Sequence, residues 1–128
     1  MRVSAGIIPY RMVSGRPLFL LLRCYHYWDF PKGVVENQEE LWETALRELK
    51  EETDLSPTRP INPARFKETK VYSKNKVARY YIAQVNQSEV KLSNEHHEFR
   101  WANYNQAKAL LNERLQKILD WAFKELRP

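Results

Sequence analysis

Glu48, Glu51 and Glu52 fall at i, i+3 and i+4 in a stretch free of glycine and proline. On a helix, that spacing sets three carboxylates on one face, close enough to share a divalent cation. Hard cations such as Mg²⁺ or Mn²⁺ take oxygen ligands and keep several waters unless phosphate oxygens replace them. By itself such spacing most often marks a solvated acidic face; as a metal centre it could serve hydrolysis of an anionic bond, of which a phosphoanhydride is one example. That bond is protected in water by its own negative charge, which repels an attacking oxygen. Metal ions neutralise the charge and lower the pKa of a bound water, supplying a nucleophile near neutral pH. No serine or cysteine intermediate is needed, and Cys24, the single cysteine, reads as a core residue at the end of an apolar strand.

The elements that must position these carboxylates follow from periodicity. Glu39 to Thr53 reads as a helix, with Leu41, Trp42, Ala45, Leu46 and Leu49 on one stripe beside the acidic face. Upstream, Arg2 to Tyr10 and Leu18 to Cys24 read as a hairpin turned at Gly15, Arg16 and Pro17. Tyr25 to Gln38 shows no period and is expected to be loop. Ser56 to Pro63 is a proline-rich connector. Phe66 to Tyr72 and Val77 to Val85 read as strands joined by a turn over Ser73 to Lys76, and Phe99 to Trp101 as a short extended piece. Gln106 to Leu111 and Glu113 to Leu126 close the chain as two helices. Strands, helix, strands and helices in that order indicate a mixed α/β fold.

Gly33 lies six residues before Glu39, and seven residues separate Glu39 from Arg47. Gly33, Glu39, Arg47, Glu48, Leu49, Glu51, Glu52 and Leu55 together fit Gly-x5-Glu-x7-Arg-Glu-U-x-Glu-Glu-x-Gly-U, where U is a bulky aliphatic. This pattern, covering about residues 33–55, resembles the box of the Nudix hydrolases. Asp54 stands where the pattern has its last glycine, a place where a left-handed backbone is expected and which Asp tolerates better than most residues. The resemblance implies an α/β/α sandwich around a mixed β-sheet, with residues 1–128 as one domain. It implies Glu51 and Glu52 as main metal ligands and Glu48 as a further ligand or base. The carbonyl of Lys32 or Gly33 would join the coordination, and Glu39 and Arg47 would orient loop and helix.

Three stretches outside the box are similar to those of the asymmetrically cleaving diadenosine tetraphosphate hydrolases. They are Trp28-Asp29-Phe30-Pro31-Lys32-Gly33, Lys74-Asn75-Lys76 and Leu92-Ser93-Asn94-Glu95-His96, the last running on to Arg100-Trp101. By that resemblance Lys32, Lys74 and Lys76 would contact the polyphosphate and Glu95 would be a further metal ligand or base. His96 would bond a phosphate or the attacking water. Two lysines at i, i+2 leading into a strand are expected to point to the same side. Tyr72 or Tyr104 is a candidate clamp for an adenine, while Trp28 and Trp101 read as core or cleft wall. The leading expectation is cleavage of diadenosine tetraphosphate to ATP and AMP. Removal of pyrophosphate from 5′-triphosphorylated RNA and hydrolysis of nucleoside triphosphates are the alternatives.

Composition is compatible with all three. The chain has 128 residues, 43% hydrophobic and 29% charged, enough for a real core. A formal net charge of +5 favours anionic partners, a small nucleoside polyphosphate or an RNA 5′ end. One cysteine excludes an intrachain disulfide, and no apolar run approaches membrane-spanning length. A cytoplasmic protein without membrane attachment or an obligate protein partner is expected.

Overall fold

The computed structural model describes residues 1–127. Strands β1 (Arg2–Val13) and β2 (Arg16–Cys24) form the expected hairpin, with Tyr10 opposite Phe19 and Val13 opposite Arg16. Two short strands follow, β3 (Tyr27–Asp29) and β4 (Lys32–Val34), and then helix α1 (Leu41–Thr53). β5 (Phe66–Glu68), β6 (Lys76–Gln84) and β7 (Glu98–Ala102) precede helices α2 (Tyr104–Leu110) and α3 (Glu113–Glu125). The sheet is seven-stranded in the order β3-β2-β1-β6-β5, with β4 added to β1 and β7 to β2. It is mixed: β1 and β6 run parallel from Arg2 opposite Lys76 to Tyr10 opposite Gln84, and the other pairs are antiparallel.

Neighbouring residues of the central strands face opposite ways, and both faces are apolar, so helices must cover both. Ile7, Leu20, Leu22 and Tyr81 pack with Ala45 and Leu49 of α1. Ile8, Phe19, Leu21 and Tyr80 pack with Ala107 of α2 and with Leu115, Ile118, Leu119 and Ala122 of α3. This is the expected α/β/α sandwich. Burying a Leu, Ile or Phe side chain contributes roughly 1.5–3 kcal/mol. A one-residue slip of β1 would exchange Ile7 and Ile8 between the two cores, and that fixes its register.

Three expectations are corrected. The stretch 25–38 is not all loop, because β3 and β4 pair with β2 and β1 as three-residue strands too short to show a period. The strand expected over Phe66 to Tyr72 stops at Glu68, although Thr69 still donates to the Ala78 carbonyl and Tyr72 exchanges both backbone bonds with Lys76. Lys74 lies between them in a left-handed turn, where Ser73, Lys74 and Asn75 all have positive φ. Lys76 opens β6, so the strand geometry expected to align the two lysines does not reach Lys74.

Candidate active site

The box is a loop and a helix tied into one unit. Glu39 lies just before α1 and turns its carboxylate back over the loop. It accepts from the Glu36 amide at 3.0 Å, the Thr44 hydroxyl at 2.9 Å and Arg47 Nε at 2.7 Å. Arg47 Nη2 donates both to Glu39, at 3.1 Å, and to the Val34 carbonyl, also at 3.1 Å. The Arg47 bond, the Glu36 amide and the Thr44 hydroxyl hold the Glu39 carboxyl down at about 2. The helix starts at Leu41 because Glu39 serves the loop, and Glu43 closes the first turn by accepting from the Glu40 amide at 2.9 Å. At the far end Asp54 takes the left-handed cap, φ 63, as expected, and its amide donates to the Lys50 carbonyl.

Gly33 sits on β4 directly beneath Glu48. A Cβ at Gly33 would overlap the Glu48 carboxyl carbon and both its oxygens, so any larger residue there would push the Glu48 carboxyl out of its place. Glu48 is largely buried, its Oε2 has no hydrogen-bond partner, and burial pushes its pKa up. Glu52 is 5% exposed. Burial, and then the carboxylates of Glu48, Asp29 and Glu95, push it up to about 9, against the Lys32 amide that donates to it. His96 Nε2 lies 3.4 Å from Glu52 Oε1, and burial keeps its pKa low. The Ser93 amide bonds the Glu52 carbonyl and the Lys91 amide bonds the Thr53 carbonyl, which fastens the 91–96 segment to the end of α1.

These groups fit a divalent cation. An orphaned buried carboxylate oxygen beside a second buried carboxyl, with Glu95 and Asp29 adding negative potential, lacks one thing, a concentrated positive charge. Glu51 stands apart. Its side chain is 56% exposed and chelated by Arg47 Nη1 at 3.1 and 3.2 Å. Among the described residues, no three acidic or imidazole groups already converge as a finished metal cage.

The polyphosphate-side residues divide. Lys32 Nζ donates to the Tyr72 hydroxyl at 3.3 Å and lies 3.5 Å from Asp29. Burial works against the charge of Lys32, but Asp29 and Tyr72 outweigh it and its pKa rises. Tyr72 is therefore brought to the carboxylates through Lys32. Tyr104, the other candidate clamp, is not. Its hydroxyl bonds Asp120 at 2.5 Å and its ring stacks on Phe123. Lys74 is exposed and Lys76 is half-buried.

Two further residues of the site are not among those the sequence points to. Asp29 accepts from the buried Tyr80 hydroxyl at 2.9 Å and faces Lys32, and so fixes that lysine. Its signal is its place between Trp28 and Lys32. Arg114, at the start of α3, lays its guanidinium 3.8 Å over the Tyr72 ring, and nothing local in sequence announces that contact.

Residues 1–122 match the NUDIX domain family. The chain is 34% identical over 111 residues to the asymmetrical bis(5′-nucleosyl)-tetraphosphatase of Caenorhabditis elegans, covering 81% of this chain and 80% of that protein. It is 37% identical over 97 residues to the Rattus norvegicus protein of the same name, covering 70% of this chain and 66% of that protein. A crystal structure of a C. elegans Ap4A hydrolase binary complex superposes with a TM-score of 0.90 at 28% identity, covering 98% of each chain. The braced loop, the glycine under Glu48 and the buried glutamates are thus found in a chain that belongs to the Nudix family of hydrolases.

Proposed function

We propose that this protein hydrolyses diadenosine tetraphosphate (Ap4A) asymmetrically, to ATP and AMP, with Mg²⁺ or Mn²⁺ held by Glu48, Glu52 and Glu51 and by the backbone carbonyl of Lys32 or Gly33. Nudix hydrolases generally need a divalent metal. The single observation that carries the reading is the junction of two chemistries: the buried Glu48–Glu52 pair lies against the loop whose Lys32 reaches Tyr72. An acidic centre and a cation–aromatic platform side by side suit a substrate with a phosphoanhydride at one place and a nucleoside next to it.

When bound, a divalent cation held by these residues would neutralise charge on the anhydride and activate the attacking water. The chain supplies the rest. Glu39 and Arg47 hold the loop against α1, so Gly33 and Glu48 keep their relation. Lys32, pinned by Asp29, presents an ammonium to the polyphosphate, and Lys76 and Lys74 meet phosphates further along. Glu95 or Glu48 receives the proton of the attacking water, with His96 bonding a phosphate or that water. Tyr72 stacks on an adenine. A cytoplasmic nucleotide pool is the setting we assign. Among the described residues, no helix is long and apolar enough to cross a membrane.

The test is a ranking of kcat/KM with Mg²⁺ over dinucleoside polyphosphates, nucleoside triphosphates and ADP-ribose. Ap4A is expected at the head, with ATP and AMP as products. A nucleoside triphosphate preferred over Ap4A, or two ADP as products, would refute the proposal.

A further inference from the structure

Tyr80 is fully buried on β6, in the core that α2 and α3 cover, yet its hydroxyl reaches the loop that leads into β4. Its ring meets Phe30 edge-on at 5.7 Å, and the hydroxyl donates to Asp29 Oδ1 at 2.9 Å. Its partner in register on β1 is Gly6, where a Cβ would overlap the Pro31 carbonyl and the Cβ of Lys32. The loop from Asp29 to Lys32 therefore lies directly against this strand pair. A phenylalanine would pack there as well, whereas a buried hydroxyl costs free energy unless it is bonded.

The Asp29 carboxylate is shared unevenly. Oδ1 accepts from the Tyr80 hydroxyl and, at 2.6 Å, from the Phe30 amide. Oδ2 faces Lys32 Nζ at 3.5 Å, well beyond the roughly 2.8 Å of a close ion pair. An ammonium carries three donors. Among the described residues, the one hydrogen bond that Lys32 Nζ donates goes to Tyr72, at 3.3 Å. Two donors on Oδ1 thus hold the carboxylate turned so that it orients the lysine without closing on it. Without the hydroxyl, Asp29 can turn toward Lys32 and take up donors that a phosphate would use.

We propose that Tyr80 is a positioning residue for polyphosphate binding: by holding Asp29 Oδ1, it keeps the Lys32 ammonium aligned and open to phosphate oxygens. The inference deepens the polyphosphate reading of the site and rests on it. Its probe is a methylene-bridged tripolyphosphate, which carries no nucleoside and cannot be hydrolysed, titrated with Mg²⁺ by calorimetry beside kinetics on Ap4A. Tyr80→Phe is expected to weaken Kd for the probe and raise KM for Ap4A about fivefold each, the worth of one hydrogen bond, with kcat close to wild type. In a Lys32→Ala background, Tyr80→Phe is expected to add no further loss, because the lysine it acts through is gone. Wild-type Kd and KM in Tyr80→Phe, or a fall in kcat alone, overturns the proposal. So does the same loss persisting without Lys32, which would mean that the hydroxyl serves the fold at large. Should Tyr80→Phe not fold, Asp29→Ala and Asp29→Ala/Tyr80→Phe, which strand no carboxylate, decide the matter. Equal Kd in those two variants is expected, and a further loss in the double variant overturns the proposal. A wild-type protein that shows this coupling on the probe but leaves Ap4A intact would refute the assigned substrate and spare the role of Tyr80.

Discussion

Glu52→Gln separates what Glu52 does for the fold from what it does for the reaction. In the metal-free protein the Glu52 carboxyl is raised from 4.5 to about 9, so at pH 7 it is protonated when folded and ionised when unfolded. A raised folded-state pKa gives stability that is fully present below 4.5 and is lost as pH climbs toward 9. From pH 4.5 to 7 the loss is at most on the order of 3 kcal/mol, because one proton held by the folded chain alone is worth about 1.4 kcal/mol for each pH unit crossed. Glutamine keeps the shape and cannot ionise. The variant is therefore expected to match wild type at about pH 4.5 and to be the more stable protein at pH 7 and above, by several degrees in melting temperature, in chelator. With metal the order reverses for activity, because a ligand charge is gone and kcat should fall about a hundredfold or more. The assay is thermal unfolding in chelator across pH 4.5 to 9, alongside kcat on Ap4A. A stability difference that stays flat with pH, or a variant less stable than wild type at pH 8, would refute the buried-carboxyl reasoning. Wild-type kcat in the folded variant would refute the catalytic role.

Gly33→Ala displaces the Glu48 carboxyl, the movable end of its side chain, so it should change stability little but cost on the order of a hundredfold in kcat; a variant with wild-type kcat would show that the place of the Glu48 carboxyl does not matter. Asp54→Gly relieves a left-handed cap but loses an exposed ion pair to Lys50 at 3.0 Å, two effects of about 1 kcal/mol or less that nearly cancel. Its melting temperature is expected within a few degrees of wild type, and a larger fall would reveal a further role for the aspartate. Lys74→Ala/Lys76→Ala should lower kcat/KM for Ap4A tenfold or more and far less for ADP-ribose, the value of charge-assisted contacts to remote phosphates. Equal losses on both substrates would return these lysines to general steering, and no loss would remove them from the site.

What is legible in the sequence is what repeats or is spaced locally. The apolar stripe of α1 and the fixed intervals from Gly33 to Leu55 are visible because helix period and box spacing are both short-range. The apolar runs of β1, β2 and β6 likewise announce buried strands. β3 and β4 are hidden because three residues carry no period and owe their conformation to partners on β2 and β1. The cluster of Asp29, Tyr80, Lys32, Tyr72 and Arg114 is hidden for a related reason. Lys32 and Tyr72 are 40 residues apart and Asp29 and Tyr80 are 51 apart, so only the closed sheet and the docked α3 bring them together. Lys74 shows the opposite error: a spacing of two suggests strand geometry where three left-handed residues make a turn.

The Glu39–Arg47 brace has a consequence for how the protein meets acid. Glu39 keeps its charge down to about 2, whereas Glu52 takes up a proton below about 9. The scaffold and the reactive centre thus answer to opposite ends of the pH scale. As pH falls below about 9 a proton competes ever more strongly with the cation for Glu52, while the loop stays latched to the helix. Acid should therefore switch the enzyme off as a reversible loss of metal, long before it becomes a loss of shape.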